Sequence, residues 1–412
     1  MAIIKKFKAT RPTRDKVNLV ASRSYLSYSN ETLKEKLNNN PYTFLHIINP
    51  DYDKKTKLEG NKKFKLVKKK FSEFIEKKIL IDDDKEYLYI YQQIKNNNKY
   101  TGIIAATSVD DYLNGKIKIH EQTLNNREKM FKDYLNATGF NAEPVLLTYK
   151  DNKIISSIIN NIIKERSEYE FSTTNEVLHK LWRIDNKEYT EKIISEFRRI
   201  NKIYIADGHH RTSSSAILCE DLRKNKRNYN PKENYNFFMS YLIPESNLNI
   251  INYNRLIRNV NRKKENEIIQ NIKKYCIVIN KGKKIYSPTK NGEISMYFMG
   301  NWYSIFLNHQ KSKDNTTSVK LDTAMLSKKI LSPVFDINDE RTDKNINFIE
   351  GTISLNEIKI KVDNGDYDIA FIIQPISINT LKEVADRNEV MPPKSTYIEP
   401  KLRSGITIYK ID

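Results

Sequence analysis

Ile203-Tyr204-Ile205-Ala206-Asp207-Gly208-His209-His210-Arg211-Thr212 holds a short β-branched apolar run that ends in Asp-Gly. Such a run reads as a strand entering a tight turn. The residues that follow, Thr212 to Glu220, have Ala216, Ile217 and Cys219 available for the inner face of a helix. Gly208 therefore stands at a strand-to-helix turn, and His209, His210 and Arg211 fall in the first helical turn. A helix N-terminus carries partial positive charge and unpaired N–H groups, so acidic residues usually occupy it. Two imidazoles and a guanidinium there point to an anionic ligand, a phosphate or a carboxylate. Gly208 lets the backbone come close to that anion. The competing account is a plain tight turn in which Asp207 pairs with Arg211 and the histidines are only polar. The anion site is preferred, and the motif alone does not name the anion.

Working outward, the chain of 412 residues has room for two or three domains, and its 25 Tyr and 16 Phe argue against disorder. The net charge of +20 raises the question of nucleic acid. The excess is Lys spread along the whole chain, however, and the densest run, Lys62 to Lys70, is interleaved with a helical stripe of Phe64, Val67, Phe71 and Ile75. Dispersed charge argues against nucleic-acid binding as the main function without excluding it. Two distant cysteines give no disulfide framework. The N-terminus lacks the apolar core of a signal peptide and no run approaches a membrane span, so a cytoplasmic protein without membrane contact is expected. Oligomeric state is not legible.

Strands are expected at Phe44–Ile48, Tyr87–Gln92, Ile103–Val109, Pro144–Tyr149, Leu181–Ile184, Phe237–Ile243, Asn249–Tyr253 and Ile369–Ile373, with a hairpin joining Ile294–Met299 to Tyr303–Leu307 through Gly300-Asn301. Helices are expected over 62–78, 188–199, Ile154–Ile163, Leu256–Lys274 and Thr323–Leu331. Lys224–Asn236 reads as a basic loop. Strands and helices mix without regular βαβ alternation, so the class is α+β. A boundary is placed near residue 255, giving domains 1–255 and 256–412.

Common catalytic signatures are absent: no glycine-rich phosphate loop, no zincin helix, no nucleophile elbow and no metal-ligand cluster in sequence. Asp207 could orient a histidine, bind Mg²⁺ or accept a proton, or simply favour the turn. His120-Glu121 could be an acid/base pair, although a Glu121 that simply suits a helix start is the preferred account. Ser213 could donate to a phosphate oxygen. Lys394, Lys401 and Arg403 could hold a second anion, but a solvated basic tail is the preferred account of them.

Asp207-Gly208-His209-His210-Arg211 resembles the signature of a bacterial and archaeal family catalogued as domain of unknown function 1015. The resemblance runs nearly end to end. It takes in Asn40-Pro41-Tyr42-Thr43-Phe44-Leu45-His46, Ser108-Val109-Asp110-Asp111-Tyr112, Lys118-Ile119-His120-Glu121-Gln122-Thr123, Arg341-Thr342-Asp343-Lys344, Met391-Pro392-Pro393-Lys394-Ser395-Thr396 and Glu399-Pro400-Lys401-Leu402-Arg403-Ser404-Gly405. It implies a first domain similar to the ParB/sulfiredoxin type, followed by a smaller α+β domain. In that group a glycine motif ending in Arg at a helix start holds nucleotide phosphates, and some distant relatives are ADP- or ATP-dependent free serine kinases. By this analogy the chain is a small-molecule kinase acting on a free hydroxy amino acid, with ATP or ADP and Mg²⁺ as cofactors. Gly208, His209, His210, Arg211, Thr212 and Ser213 would hold phosphate, Asp207, His210 and Glu121 would be the catalytic candidates, and His120 and Glu31 would meet the substrate. The alternative is a nucleotide-binding regulatory module without turnover, one that could also contact nucleic acid. A sulfiredoxin-like redox role is disfavoured, because no cysteine lies in the motif. One departure stands out: many members carry Pro-Tyr-Asp-Val where this chain has Ser24-Tyr25-Leu26-Ser27. Leu26 thus replaces the obvious N-terminal carboxylate, and Glu31 is the nearest acid on its C-terminal side.

Overall fold

A computed structural model describes residues 2–24, 27–225, 230–260, 265–307 and 316–411. By internal contacts the chain forms two compact units: residues 1–118, 123–248 and 400–412 in one, and residues 119–122 and 249–399 in the other. This partition differs from a single cut near 255, since the last segment of the chain packs with the first unit and a short piece around His120 with the second.

The first unit is built on a nine-stranded mixed sheet. Its strands are β1 (Ile4–Lys5), β2 (Tyr89–Lys95), β3 (Asn98–Ser108), β4 (Ile117–Lys118), β5 (Val145–Tyr149), β6 (Tyr169–Ser172), β7 (Leu178–Arg183), β8 (Ile203–Asp207) and β9 (Phe237–Pro244). They lie in the order β4-β8-β5-β9-β3-β2-β7-β6, with β1 added alongside β3. β2 and β3 form a hairpin. Lys95 faces Asn98, and Asn96 and Asn97 between them have φ of 47° and 67°, the left-handed pair that a two-residue hairpin turn requires. β8 runs parallel to β4 and antiparallel to β5, which sets the end of β8 beside the residues leading into β5. Three longer helices belong to this unit: α1 (Gly60–Glu76), α2 (Asn125–Thr138) and α3 (His209–Asn225). α1 buries Val67, Phe71 and Phe74 in a cluster with Phe44, Leu80, Phe140 and Ile408, so its lysines line the opposite, solvated face. A small sheet of Leu80–Asp82, Ala9–Pro12, Ile408–Lys410 and Phe140–Asn141 ties the C-terminal strand into the unit.

The second unit carries a six-stranded antiparallel sheet of β10 (Tyr253–Ile257), β11 (Cys276–Gly282), β12 (Glu293–Phe298), β13 (Asn301–Leu307), β14 (Ile346–Glu350) and β15 (Ile369–Ile373), in the order β11-β13-β12-β15-β10-β14. Apolar clusters cover both its faces. Together the units make the chain α+β. Arg255 on β10 is fully buried. Its guanidinium donates to Glu340 at 3.3 Å and to the carbonyls of Tyr253 and Pro393. Those carbonyls satisfy N–H groups that one carboxylate alone would leave bare.

Several local expectations are corrected. Phe44–Ile48 forms no strand. Leu45–Ile48 is one helical turn that buries Leu45 and Ile47, because a short apolar run fits either element. The helix expected over Leu256–Lys274 covers only Glu265–Lys273, since Leu256 and Ile257 end β10 between two neighbouring strands; residues 261–264 lie outside the described set. Thr323–Leu331 is a helical turn continued by a π-helical stretch, Ser327–Leu331. α3 runs on to Asn225, into the segment expected as a loop, of which 226–229 are outside the described residues. The turn between β12 and β13 is Met299-Gly300, both at positive φ, and Asn301 is already paired with Phe298. Among the described residues no helix is long and apolar enough to cross a membrane.

Candidate functional site

β8 ends irregularly. Tyr204 and Ile205 face Thr148 and Leu147 in regular register, but Leu146 then faces Asp207, so Ala206 is bulged out of the ladder. A bulge re-aims the next side chain, here Asp207, immediately before the turn. Gly208 follows with φ of 103°, a backbone conformation that L-residues avoid. α3 starts at His209.

Arg211 folds back over this turn. A Cβ on Gly208 would stand 3.0 Å from Arg211 Nε and 3.1 Å from Nη2, so the guanidinium occupies the space that only glycine leaves open. It forms an ion pair with Glu143 and lies 4.0 Å from Asp207. Lys401 Nζ donates to the other Asp207 oxygen at 3.0 Å. Ser404 Oγ donates to the second Glu143 oxygen at 3.2 Å. The result is an unbroken line, Lys401–Asp207–Arg211–Glu143–Ser404. The Arg211 and Glu143 side chains are 23% and 24% exposed, a partial shielding that strengthens each charge's effect on the next. Burial pushes the Asp207 carboxyl up, but Lys401 and then Arg211 outweigh it and hold it well below the usual carboxylate range.

The other predicted residues of the turn are placed as follows. His209 is buried. Thr212 is buried and its hydroxyl donates to the Gly208 carbonyl at 3.3 Å. Ser213 donates to the carboxylate of Glu128 on α2, which also accepts from Thr123. Ser214 donates to the carbonyls of Glu128 and His210 at 3.1 and 2.6 Å. Burial, with Arg127 nearby, lowers the His210 imidazole from its ordinary value, against a smaller opposing pull from Glu128. Its buried Nδ1 has no hydrogen-bond partner among the described residues. The neutral imidazole is thus favoured, with one ring nitrogen uncommitted.

Glu31 sits in the exposed first turn of helix Asn30–Asn39, where backbone N–H groups and then Ser29 lower its carboxyl. His120 is buried, and its carbonyl accepts from Met391 N within the second unit; Glu121 belongs to that unit too. Tyr25 and Leu26 lie outside the described residues. The solvated tail expected for Lys401 and Arg403 is overturned. Lys401 holds Asp207, and Arg403 is buried and donates to Thr173 and Asn175 at 3.2 and 2.6 Å. Lys394 lies over the Tyr253 ring.

Glu143 and Glu128 were not legible as site residues. Glu143 reaches Arg211 because antiparallel pairing of β8 with β5 sets the approach to β5 against the turn, a register no single-sequence signal encodes. Gly405 brings the closing segment alongside: its N–H donates to Ala142 O at 3.0 Å, and a Cβ there would stand 2.8 Å from the Phe44 ring.

Residues 4–324 match the model of the family described as Protein of unknown function (DUF1015). The chain belongs to this family. Among solved structures, a point variant of free serine kinase in complex with AMP is similar at 14% identity and a TM-score of 0.40, over 75% of this chain and 92% of that one. SbnI with C-terminal truncation from Staphylococcus aureus is similar at 13% identity and a TM-score of 0.38, over 72% and 82%. Among curated proteins, DNA-directed RNA polymerase subunit beta'' of Euglena longa is 25% identical over 364 residues, 84% of this chain and 41% of that protein. The chain thus spans less than half the length of that relative.

Proposed function

We propose that the turn at Gly208 is a phosphate-binding site and that this DUF1015 protein is a nucleotide-dependent kinase of a small hydroxy compound, a serine-like free amino acid being the first candidate. The observation that carries the phosphate site is Arg211 doubled back over Gly208 at the start of α3. There a guanidinium fork and the N–H groups of a helix start meet a backbone without a Cβ. The nucleotide and the acceptor come from the motif resemblance.

The roles divide by charge state. Asp207 is too strongly held as carboxylate to accept a proton near neutral pH, so its part is to position Lys401 and Arg211. His210, kept neutral, is the better proton acceptor for an attacking hydroxyl. Among the described residues no group of three or more His, Cys, Asp or Glu could hold a metal ion. Mg²⁺ here would therefore arrive with the nucleotide, taking phosphate oxygens, water and at most one or two carboxylates such as Asp207 or Glu143, and would neutralise charge on the transferred group.

Thermal-shift titration with ADP and ATP, with and without serine, tests this in wild type and Arg211→Ala. Saturating nucleotide at about 100 times its dissociation constant adds roughly 2.7 kcal/mol. A shift lost in Arg211→Ala, followed by serine-dependent formation of O-phosphoserine, is the expected result. A nucleotide shift with no turnover on any hydroxy amino acid leaves the regulatory-module reading, and no shift with any nucleotide removes both.

A further inference from the structure

The second unit contains a cleft of about 300 Å³ walled by β10, β15 and the start of helix Leu355–Asp363. Two asparagines stand in its polar lining, with Ser287, Thr352, Ser354 and Gln374. Asn252 and Asn254 are only 8% and 2% exposed. The Asn252 amide nitrogen donates to Asn254 Oδ1 at 2.6 Å, and Ile373 N donates to the same oxygen at 3.4 Å. This leaves the Asn252 oxygen and the Asn254 amide nitrogen without a partner among the described residues, and both residues line the cleft. Neither atom is sealed from solvent, so an uncommitted acceptor and an uncommitted donor on the cleft wall are open to a ligand.

The surroundings define what can complete it. Gly351 N donates to Asn252 O at 2.9 Å, and a Cβ on Gly351 would stand 2.2 Å from Asn252 Oδ1, so that carboxamide depends on glycine for its place. The cleft lining holds no Lys, Arg, Asp or Glu. Ser354 caps the helix, accepting from Glu357 N at 3.2 Å and donating to Glu357 Oε1 at 2.9 Å. The helix N-terminus is thus already supplied with its own carboxylate, and an anion would meet no cation and a nearby negative charge. Ile353, Leu355, Ile372 and Pro375 add apolar walls.

We propose that this cleft binds an uncharged planar group of its ligand through an edge with an N–H donor next to an acceptor, the pattern shared by the amino edge of a nucleobase and by a carboxamide. The cleft belongs to the second unit and the turn at Gly208 to the first.

Calorimetric titration of the full chain with adenosine, and separately with L-glutamine, tests it. Purine riboside, which lacks the amino donor, and L-glutamate are the matched controls. The expected result is saturable binding of adenosine or glutamine but not of its control, weakened at least tenfold by Asn254→Asp and unchanged by Arg211→Ala. Adenosine alone assigns a nucleobase, and glutamine alone a carboxamide. Circular dichroism verifies that Asn254→Asp folds. Should it not fold, hydrogen exchange of the wild type decides, with slowing confined to residues 351–355 on ligand addition supporting the site. The proposal is overturned by no binding of either probe at about 1 mM, by binding that Arg211→Ala abolishes and Asn254→Asp leaves intact, or by no change in exchange at 351–355.

Discussion

Arg211, in the first turn of α3, is paired with Glu143, which lies just before β5, while its other face turns toward Asp207 4.0 Å away. Two cations and two carboxylates, Lys401 and Arg211 with Asp207 and Glu143, therefore surround the turn and cancel. A phosphate entering there competes with Glu143 for the guanidinium. Glu143→Gln keeps an acceptor for Arg211 and removes the competing charge. Partly exposed pairs of this kind contribute about 1 kcal/mol or less, so Glu143→Gln is expected to bind ADP or inorganic phosphate up to about fivefold more tightly than wild type. Calorimetric titration checks this, and equal or weaker binding would show that Glu143 does not compete with the ligand.

Gly208→Ala should act in the opposite direction. Its φ of 103° strains any L-residue, and the added methyl would press on Arg211 at 3.0 Å. The backbone strain alone is about 1–3 kcal/mol. The expected outcome is a lower melting temperature together with loss of the nucleotide-dependent shift. A variant that melts lower but keeps the full shift would place the phosphate site elsewhere.

The two cysteines provide a test of the redox alternative. Cys219 and Cys276 are buried, and burial pushes each thiol up to about 11. A nucleophilic or redox thiol needs the reverse, a lowered value and access. Iodoacetamide at pH 8 is expected to label neither in the native protein and both after denaturation, read by intact mass. Rapid native labelling of Cys219 would reopen a sulfiredoxin-like role.

Much of this was legible in the sequence, for identifiable reasons. β8, the turn at Gly208 and the start of α3 follow from local signals: a β-branched run, Asp-Gly, then helical spacing. The Asn96-Asn97 hairpin is equally local. The partners of the turn are not. Glu143 and Lys401 lie far along the chain from Arg211 and meet it only through the pairing of β8 with β5 and the return of residues 400–412 to the first unit. The basic tail misled for the same reason, since Lys401 and Arg403 read as solvated until Asp207, Thr173 and Asn175 are placed beside them. Leu256-Ile257 misled because two buried residues fit the end of a strand and the start of a helix alike.

His179 on β7 makes the fold sensitive to acid. Its ring is fully buried, stacked near Phe171 and Tyr91 with interplanar angles of 19° and 11°, and the Tyr91 hydroxyl lies 2.7 Å from its Nδ1. Burial, with some help from Arg403, pushes the imidazole down to about 3 from an ordinary 6.5. The folded state thus holds His179 neutral where the unfolded chain protonates it. The stability this contributes is fully present above about pH 6.5 and is lost progressively as pH falls toward 3. At pH 5 the linkage amounts to about 2 kcal/mol. His179→Asn retains a hydrogen-bonding group near the position of Nδ1 and cannot titrate. Denaturant melts at pH 7.5 and pH 5 should therefore show a stability loss for wild type that exceeds the variant's by about that amount. The variant itself should be less stable than wild type at pH 7.5, because a smaller side chain leaves space between two aromatic rings. Equal losses in the two proteins would mean that the acid response comes from other groups and that His179 is protonated in the fold more readily than its surroundings imply.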